Sequence, residues 1–163
     1  LDLIYIDKYE SEKQYLRELS EKAIRLAHSD ISDVDAIREL GEGWVAEETW
    51  AIALYCAIRH INSVEDAIIA SVNHDGDSDS TGSVCGNIMG AIYGYEHIKE
   101  RNIFCPEGRQ LENTLELSEI ILALADDLST GCIISEYDSI DTPEKRQWYE
   151  RYCEMKPAGI GVK

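Results

Sequence analysis

The chain has 163 residues, the size of one ordinary domain, and its 44% hydrophobic content excludes a wholly disordered protein. Its 32 acidic and 15 basic residues leave a net charge of −17, whose field repels nucleic acid and membrane surfaces, so neither is an expected partner. No apolar run reaches the roughly 20 residues of a membrane span. The five cysteines include no Cys-x-x-Cys pair, which argues against a zinc site and against disulfides and favours a reducing, cytoplasmic location.

Helical periodicity organises the first part of the chain. Ser11, Ser32 and Ser63 are typical of helix N-caps, and Gly41 is typical of a helix end. The predicted elements are, in chain order, a short strand or extended lead-in over residues 1–6 and helices over residues 12–28, 33–40, 46–60 and 64–72. The third of these helices, which includes Trp50, is apolar around much of its circumference, which predicts a buried position.

An acidic segment, residues 74–82, contains the carboxylates of Asp75, Asp77 and Asp79. Carboxylates at alternate positions repel one another unless a divalent cation or backbone N–H groups compensate their charge. A site for Mg²⁺, Mn²⁺ or Ca²⁺, with Asp77, Asp79 and the Ser80 hydroxyl as ligands, is therefore the first hypothesis. The alternatives are a solvated turn and an EF-hand calcium loop. The second fails because Ser80 replaces the glycine at its sixth position and its twelfth position is not a glutamate.

The rest of the chain also favours helices. A helix over residues 80–97 carries glycines on one face at positions 82, 86, 90 and 94. Each glycine lowers helix stability by roughly 1 kcal/mol relative to alanine, so close packing of a neighbouring helix or a ligand must compensate. Further predictions are a long amphipathic helix over residues 111–128, a short extended piece over residues 131–135 and a last helix beginning at Thr142 and Pro143. Together these elements predict an all-α fold, a compact orthogonal helical domain of roughly seven helices over residues 1–163.

The acidic segment also carries a family resemblance. Residues 72–82 (VNHDGDSDSTG) and 85–94 (CGNIMGAIYG) resemble the C-terminal metal motif of the ADP-ribosylglycohydrolases, and residues 40–49 (LGEGWVAEET) resemble the segment that precedes it. The resemblance implies an all-α fold with a site for two ions, Mg²⁺ or Mn²⁺, that binds ADP-ribose. It also implies hydrolysis of the bond between the anomeric carbon of the distal ribose and a protein side chain or another acceptor.

The resemblance extends to individual residues. Asp77, Asp79 and Ser80 match the C-terminal metal ligands of the family. The positions expected to support these ligands or to contact substrate are Gly43, Trp44, His74, Asp75, Gly76 and Ser78.

Four of the neighbouring side chains have a structural interpretation beside the functional one. Trp44 could stack on adenine, but a tryptophan packed in the core is the preferred interpretation. His74 could orient Asp77 or a water molecule, but capping of the preceding helix is preferred. Glu47 and Glu48 could contact a ligand, but favourable charges in the first turn of a helix are the preferred interpretation.

Other motifs of the family do not occur in the sequence. These are an early glycine-acidic segment with the catalytic acidic residue, a Thr-Asp-Asp motif for the other metal ligands and a Gly-Asn-Gly-type phosphate loop. We therefore expect the chain, which begins at Leu1, to be the C-terminal half of such an enzyme, and we nominate no catalytic residue. Alone, it is expected to bind metal weakly and to be catalytically silent.

Two other functions remain open from the sequence. One is a non-enzymatic module that binds ADP-ribose or metal, or that completes its site with the missing N-terminal half or a second chain. The other is a metal-dependent phosphohydrolase that uses the same acidic segment on a generic phosphate ester.

Overall fold

A computed structural model describes residues 9–101 and 116–129, together with Pro143 and Arg146. Within these ranges the backbone forms seven α-helices and no strand. The helices are α1 (Glu10–Ala27), α2 (Asp33–Leu40), α3 (Ala46–Arg59), α4 (Val64–Val72), α5 (Ser78–Tyr93), α6 (Tyr95–Glu100) and α7 (Ser118–Ser129). The prediction of an all-α fold is confirmed.

The chain divides into two compact units, Leu1–Ile103 and Phe104–Lys163. Helices α1 to α6 belong to the first unit, and α7 belongs to the second. The single domain over residues 1–163 stays a prediction. None of the described helices is both long enough and apolar enough to cross a membrane.

Several predicted elements lie outside the described residues. These are the lead-in over residues 1–6, the first part of the helix over residues 111–128, the extended piece over residues 131–135 and most of the last helix.

The helix starts follow from local capping chemistry. Ser32 and Ser63 each accept a hydrogen bond at 3.2 Å from the backbone N–H three residues further on, as predicted. The prediction for Ser11 is wrong, because α1 begins two residues earlier than predicted, at Glu10, with Tyr9 as its N-cap. The backbone of Tyr9 has a φ of 59°, in the left-handed region, so the turn ahead of α1 comes from the main chain rather than from a side-chain cap.

Helix α3 is the central helix of the first unit and packs against α1, α2, α4 and α5. Its buried residues are Thr49, Ala51, Ile52, Ala53, Tyr55, Cys56 and Ala57. Small alanine side chains on several sides allow the neighbouring helices to approach closely, which confirms the predicted buried position. The Tyr55 hydroxyl donates to the Asp33 carboxylate at 2.6 Å and links α3 to α2. Trp50 is an exception to the prediction, since 38% of it is exposed.

The glycines of α5 have different roles along the helix. A Cβ added to Gly82 would lie 2.5 Å from Val72 Cγ1, and one added to Gly86 would lie 3.6 Å from Ile68 Cδ1, so this part of the stripe allows α4 to pack closely. A Cβ added to Gly90 would meet no described heavy atom within 4 Å. The prediction of one helix over residues 80–97 is wrong at Gly94, whose φ of 78° ends α5 and separates it from α6.

Candidate functional site

The acidic segment crosses from the end of α4 into the first turn of α5. Asp77 is the N-cap of α5, and its carboxylate accepts a hydrogen bond from the Ser80 N–H at 3.4 Å. The backbone N–H of Asp77 donates to the Glu42 carbonyl at 2.8 Å, which joins the segment to the loop ahead of α3. Asp79 and Ser80 follow in the first turn of α5, so all three predicted ligands lie at one helix end.

Asp77 and Asp79 lie two residues apart at the start of α5. A hydrogen bond with the Asp79 carboxyl contributes most to holding the pKa of Asp77 below its ordinary value, followed by a hydrogen bond with the Ser80 side chain. Two carboxylates this close in the chain repel each other, and a divalent cation between them would remove that repulsion. The donor set of two carboxylates and a hydroxyl therefore suits a hard divalent cation.

Thr81 is the buried centre of the hydrogen bonds that hold the acidic segment. Its hydroxyl donates to the Ser71 carbonyl of α4 at 2.7 Å. The Gly76 N–H donates to His74 Nδ1 at 3.1 Å, so the ring proton lies on Nε2, which donates to Thr81 Oγ1 at 2.8 Å. His74 therefore links the segment to α5. The preferred sequence interpretation of His74 as a cap of α4 is wrong, because the side chain of Asn73 bonds the α4 carbonyl instead.

Two glycines permit close approach between the acidic segment and a glycine loop, residues 41–44. A Cβ on Gly76 would lie 1.9 Å from the Glu42 carbonyl oxygen, so no other residue fits there without movement of the backbone. Gly43 has a φ of 81°, and a Cβ there would lie 3.0 Å from the Thr81 side chain. Both positions are among the predicted site residues, and both fix the distance between the loop and the segment.

The first turn of α3 holds the glycine loop from the other side. Glu48 Oε2 accepts hydrogen bonds from the backbone N–H groups of Glu42 and Gly43, each at 3.1 Å. The hydroxyl of Thr49 donates to the Gly43 carbonyl at 2.7 Å. The sequence predicts neither bond: it favours a first-turn charge for Glu48 and gives no signal for Thr49, because both bonds depend on the loop conformation.

The loop and the helix end together form a cleft of about 710 Å³. It is lined by Gly43, Trp44, Ala46, Thr49, Trp50, Asp77, Asp79, Ser80, Ser83 and Val84. Trp44 is 67% exposed, so the interpretation of a tryptophan packed in the core is wrong. Its indole N–H donates to the Glu42 carboxylate at 3.2 Å, which tethers the ring at the edge of the cleft.

The other predicted site residues lie beside the cleft rather than on its wall. Asp75 has a side chain that is 96% exposed, with its carboxylate 3.6 Å from the guanidinium of Arg38. Ser78 is the first residue of α5, and its N–H donates to the Gly76 carbonyl at 2.9 Å. In the part of the chain that the structure describes, no three His, Cys, Asp or Glu side chains converge to hold a metal ion. The predicted ligand set does not meet this criterion, because it consists of two carboxylates, Asp77 and Asp79, and the hydroxyl of Ser80.

The cleft also contains Trp50, Ser83 and Val84, which the sequence does not predict as site residues. Their positions follow a helical rule that could have found them: Ser83 and Val84 lie one turn after Asp79 and Ser80, on the same face of α5. Trp50 likewise lies about one turn after the start of α3. The apolar pattern of α3 placed Trp50 in the core because a tryptophan on a buried helix is usually buried.

Comparison with known proteins gives consistent results. Residues 3–135 match the family model described as ADP-ribosylglycohydrolase. The chain is similar to ADP-ribosylhydrolase ARH3 of Mus musculus, with 30% identity over 99 residues, which is 55% of this chain and 27% of that protein. The ARH3 proteins of Bos taurus and Homo sapiens are each 28% identical over 99 residues, with the same coverage. The match thus spans 27% of the length of each relative. No solved structure matches the chain.

Proposed function

The chain belongs to the ADP-ribosylglycohydrolase family, and we propose that it carries part of a metal-dependent site that hydrolyses ADP-ribosyl bonds. In this proposal Asp77, Asp79 and Ser80 contribute the C-terminal ligands of a site for two Mg²⁺ or Mn²⁺ ions. The remaining ligands and the catalytic acid or base come from an N-terminal half or a second chain. One observation carries the proposal: the three ligands and Trp44 line the same cleft.

The charge of the cleft supports metal dependence. Among the described residues that line it there are two aspartates and no lysine or arginine. The diphosphate of ADP-ribose is anionic, so these carboxylates repel it unless a cation neutralises them. A bound divalent ion would supply that positive charge and would stabilise negative charge at the reacting oxygen atoms.

The walls of the cleft support the choice of ligand. The exposed indole of Trp44 offers a flat surface on which adenine can stack. Ala46 is the first residue of α3 and also lines the cleft. The N-cap of α3, Val45, makes no side-chain cap hydrogen bond, and a helix N-terminus favours an anion such as a phosphate oxygen.

Calorimetric titration with ADP-ribose tests the proposal. Binding that strengthens when Mg²⁺ is added supports the proposed site, whereas equal binding with and without Mg²⁺ supports a metal-independent binding module. No binding in either condition contradicts the assignment of this cleft to ADP-ribose.

Activity assays separate the enzyme classes. We expect the chain alone to release no ADP-ribose from an ADP-ribosylated protein in the presence of Mg²⁺, because it supplies only part of the site. Magnesium-dependent release by this chain would contradict the partial-site proposal. Hydrolysis of a generic phosphate ester, with ADP-ribosylated protein left intact, would identify a phosphohydrolase instead.

A further inference from the structure

We propose that Glu48 is a positioning residue of the site: its carboxylate holds the glycine loop in the conformation that fixes the backbone of Asp77. The proposal rests on the proposed function only for the role of Asp77 as a metal ligand. The coupling between Glu48 and Asp77 can be tested without a metal.

The first part of the coupling is the pair of hydrogen bonds by which Glu48 holds the glycine loop. One oxygen, Oε2, accepts both the Glu42 and Gly43 N–H groups at 3.1 Å. Hydrogen bonds to an ionised acceptor are roughly twice as strong as those between neutral groups. Gly41, with a φ of 133°, allows the chain to wrap around this carboxylate, because a Cβ at Gly41 would lie 2.4 Å from Glu48 Cδ.

The second part of the coupling runs from the loop to the acidic segment. The Glu42 carbonyl belongs to the same peptide unit as the Gly43 N–H that Glu48 holds, and it accepts the Asp77 N–H at 2.8 Å. The same carbonyl oxygen lies directly against Gly76. A shift of Glu42 therefore moves Gly76 and Asp77, whose backbone sets the direction of the Asp77 side chain.

Glu47 offers a matched control on the same helix turn. Both glutamates are acidic residues in the first turn of α3 and both are partly buried. Of these two glutamates, only Glu48 accepts hydrogen bonds from the described glycine loop. Loss of charge at Glu47 therefore removes the first-turn charge effect without releasing the loop.

Amide hydrogen exchange of the metal-free chain, followed residue by residue by NMR, tests the coupling. In Glu48→Ala, the amides of Glu42, Gly43 and Asp77 are expected to exchange at least about tenfold faster than in the wild type, because two charge-assisted bonds are lost. In Glu48→Gln the increase is expected to be smaller, because the amide oxygen still accepts hydrogen bonds. In Glu47→Gln the three amides exchange as in the wild type.

Two results overturn the proposal. One is an unchanged exchange rate of the Asp77 amide in Glu48→Ala while the amides of Glu42 and Gly43 exchange faster, because the glycine loop then moves without the acidic segment. The other is equal exchange in Glu48→Gln and Glu47→Gln, which decides the question even if Glu48→Ala does not fold.

Manganese titration, followed by the EPR signal of free Mn²⁺, adds a functional readout. We expect Glu48→Ala to bind Mn²⁺ at least about threefold more weakly than Glu47→Gln, with Glu48→Gln in between, because the ligand loses its fixed position. Equal affinities would contradict the positioning role. If the wild-type chain does not bind Mn²⁺, the metal part of the proposed function fails, whereas the exchange experiment still decides the coupling.

Discussion

The contact between Gly76 and Glu42 makes a strong prediction about stability. An added Cβ at position 76 would lie 1.9 Å from the Glu42 carbonyl oxygen, so Gly76→Ala forces the backbones apart by more than an ångström. This separation breaks the 2.8 Å hydrogen bond from the Asp77 N–H to the same oxygen. A lost hydrogen bond costs about 1 kcal/mol and overpacking costs about 1–3 kcal/mol, so the total is about 2–4 kcal/mol.

Gly90→Ala is the matched control for this substitution. Gly90 lies within α5, and an added Cβ meets no described heavy atom within 4 Å. Alanine is more favourable than glycine in a helix by about 1 kcal/mol, so Gly90→Ala is expected to stabilise the protein.

Thermal unfolding followed by far-ultraviolet circular dichroism measures both effects. For a chain of this size we expect Gly76→Ala to lower Tm by roughly 5–15 °C and Gly90→Ala to raise it by about 2–4 °C. If the two substitutions shift Tm in the same direction, or if Gly76→Ala leaves it unchanged, the close approach of the loop to the acidic segment is refuted.

Two further predictions concern buried groups. Thr81→Val removes a fully buried hydroxyl that bonds Ser71 and His74, so it is expected to lower the free energy of unfolding, measured in urea, by about 1–3 kcal/mol. Ser83→Ala, at an exposed position of the same helix, should change that free energy by no more than about 0.5 kcal/mol. Equal effects of the two substitutions would contradict the role of Thr81. Burial raises the pKa of the Cys56 and Cys85 thiols, so iodoacetamide should label them in the native chain far more slowly than in urea, as peptide mass spectrometry can measure. Above pH about 8.5 the thiols of the unfolded chain lose their protons, whereas the two buried thiols of the folded chain keep theirs. Their contribution to the free energy of unfolding is therefore complete below that pH and declines as the pH rises. Stability that increases from pH 8.5 to 10 would contradict this reasoning.

Much of the fold could be predicted from the sequence because it depends on local chemistry. The caps Ser32 and Ser63 bond the backbone only three residues away, so their function is visible in the sequence itself. The break at Gly94 could not be predicted in the same way. Four equally spaced glycines look alike in a sequence, and only the packing of the chain determines which of them adopts a positive φ.

The candidate site shows the same division between local and long-range information. Asp77, Asp79 and Ser80 are close in sequence, so their position at one helix end could be predicted. The bonds that Glu48 makes to the glycine loop depend on a backbone turn that no spacing rule describes. Trp44 was wrongly assigned to the core, because large aromatic residues are usually buried unless a binding surface needs them.

The central claim is that Asp77 helps to bind a cation that ADP-ribose requires, and one comparison tests it most directly. Asp77→Asn retains a good N-cap for α5 but loses a charged metal ligand, whereas Asp75→Asn removes the same charge from a side chain that does not line the cleft. In calorimetry with ADP-ribose and Mg²⁺, Asp77→Asn should weaken binding at least about tenfold, and Asp75→Asn should leave it nearly unchanged. Equal losses in both variants, or no loss in Asp77→Asn, would contradict the claim.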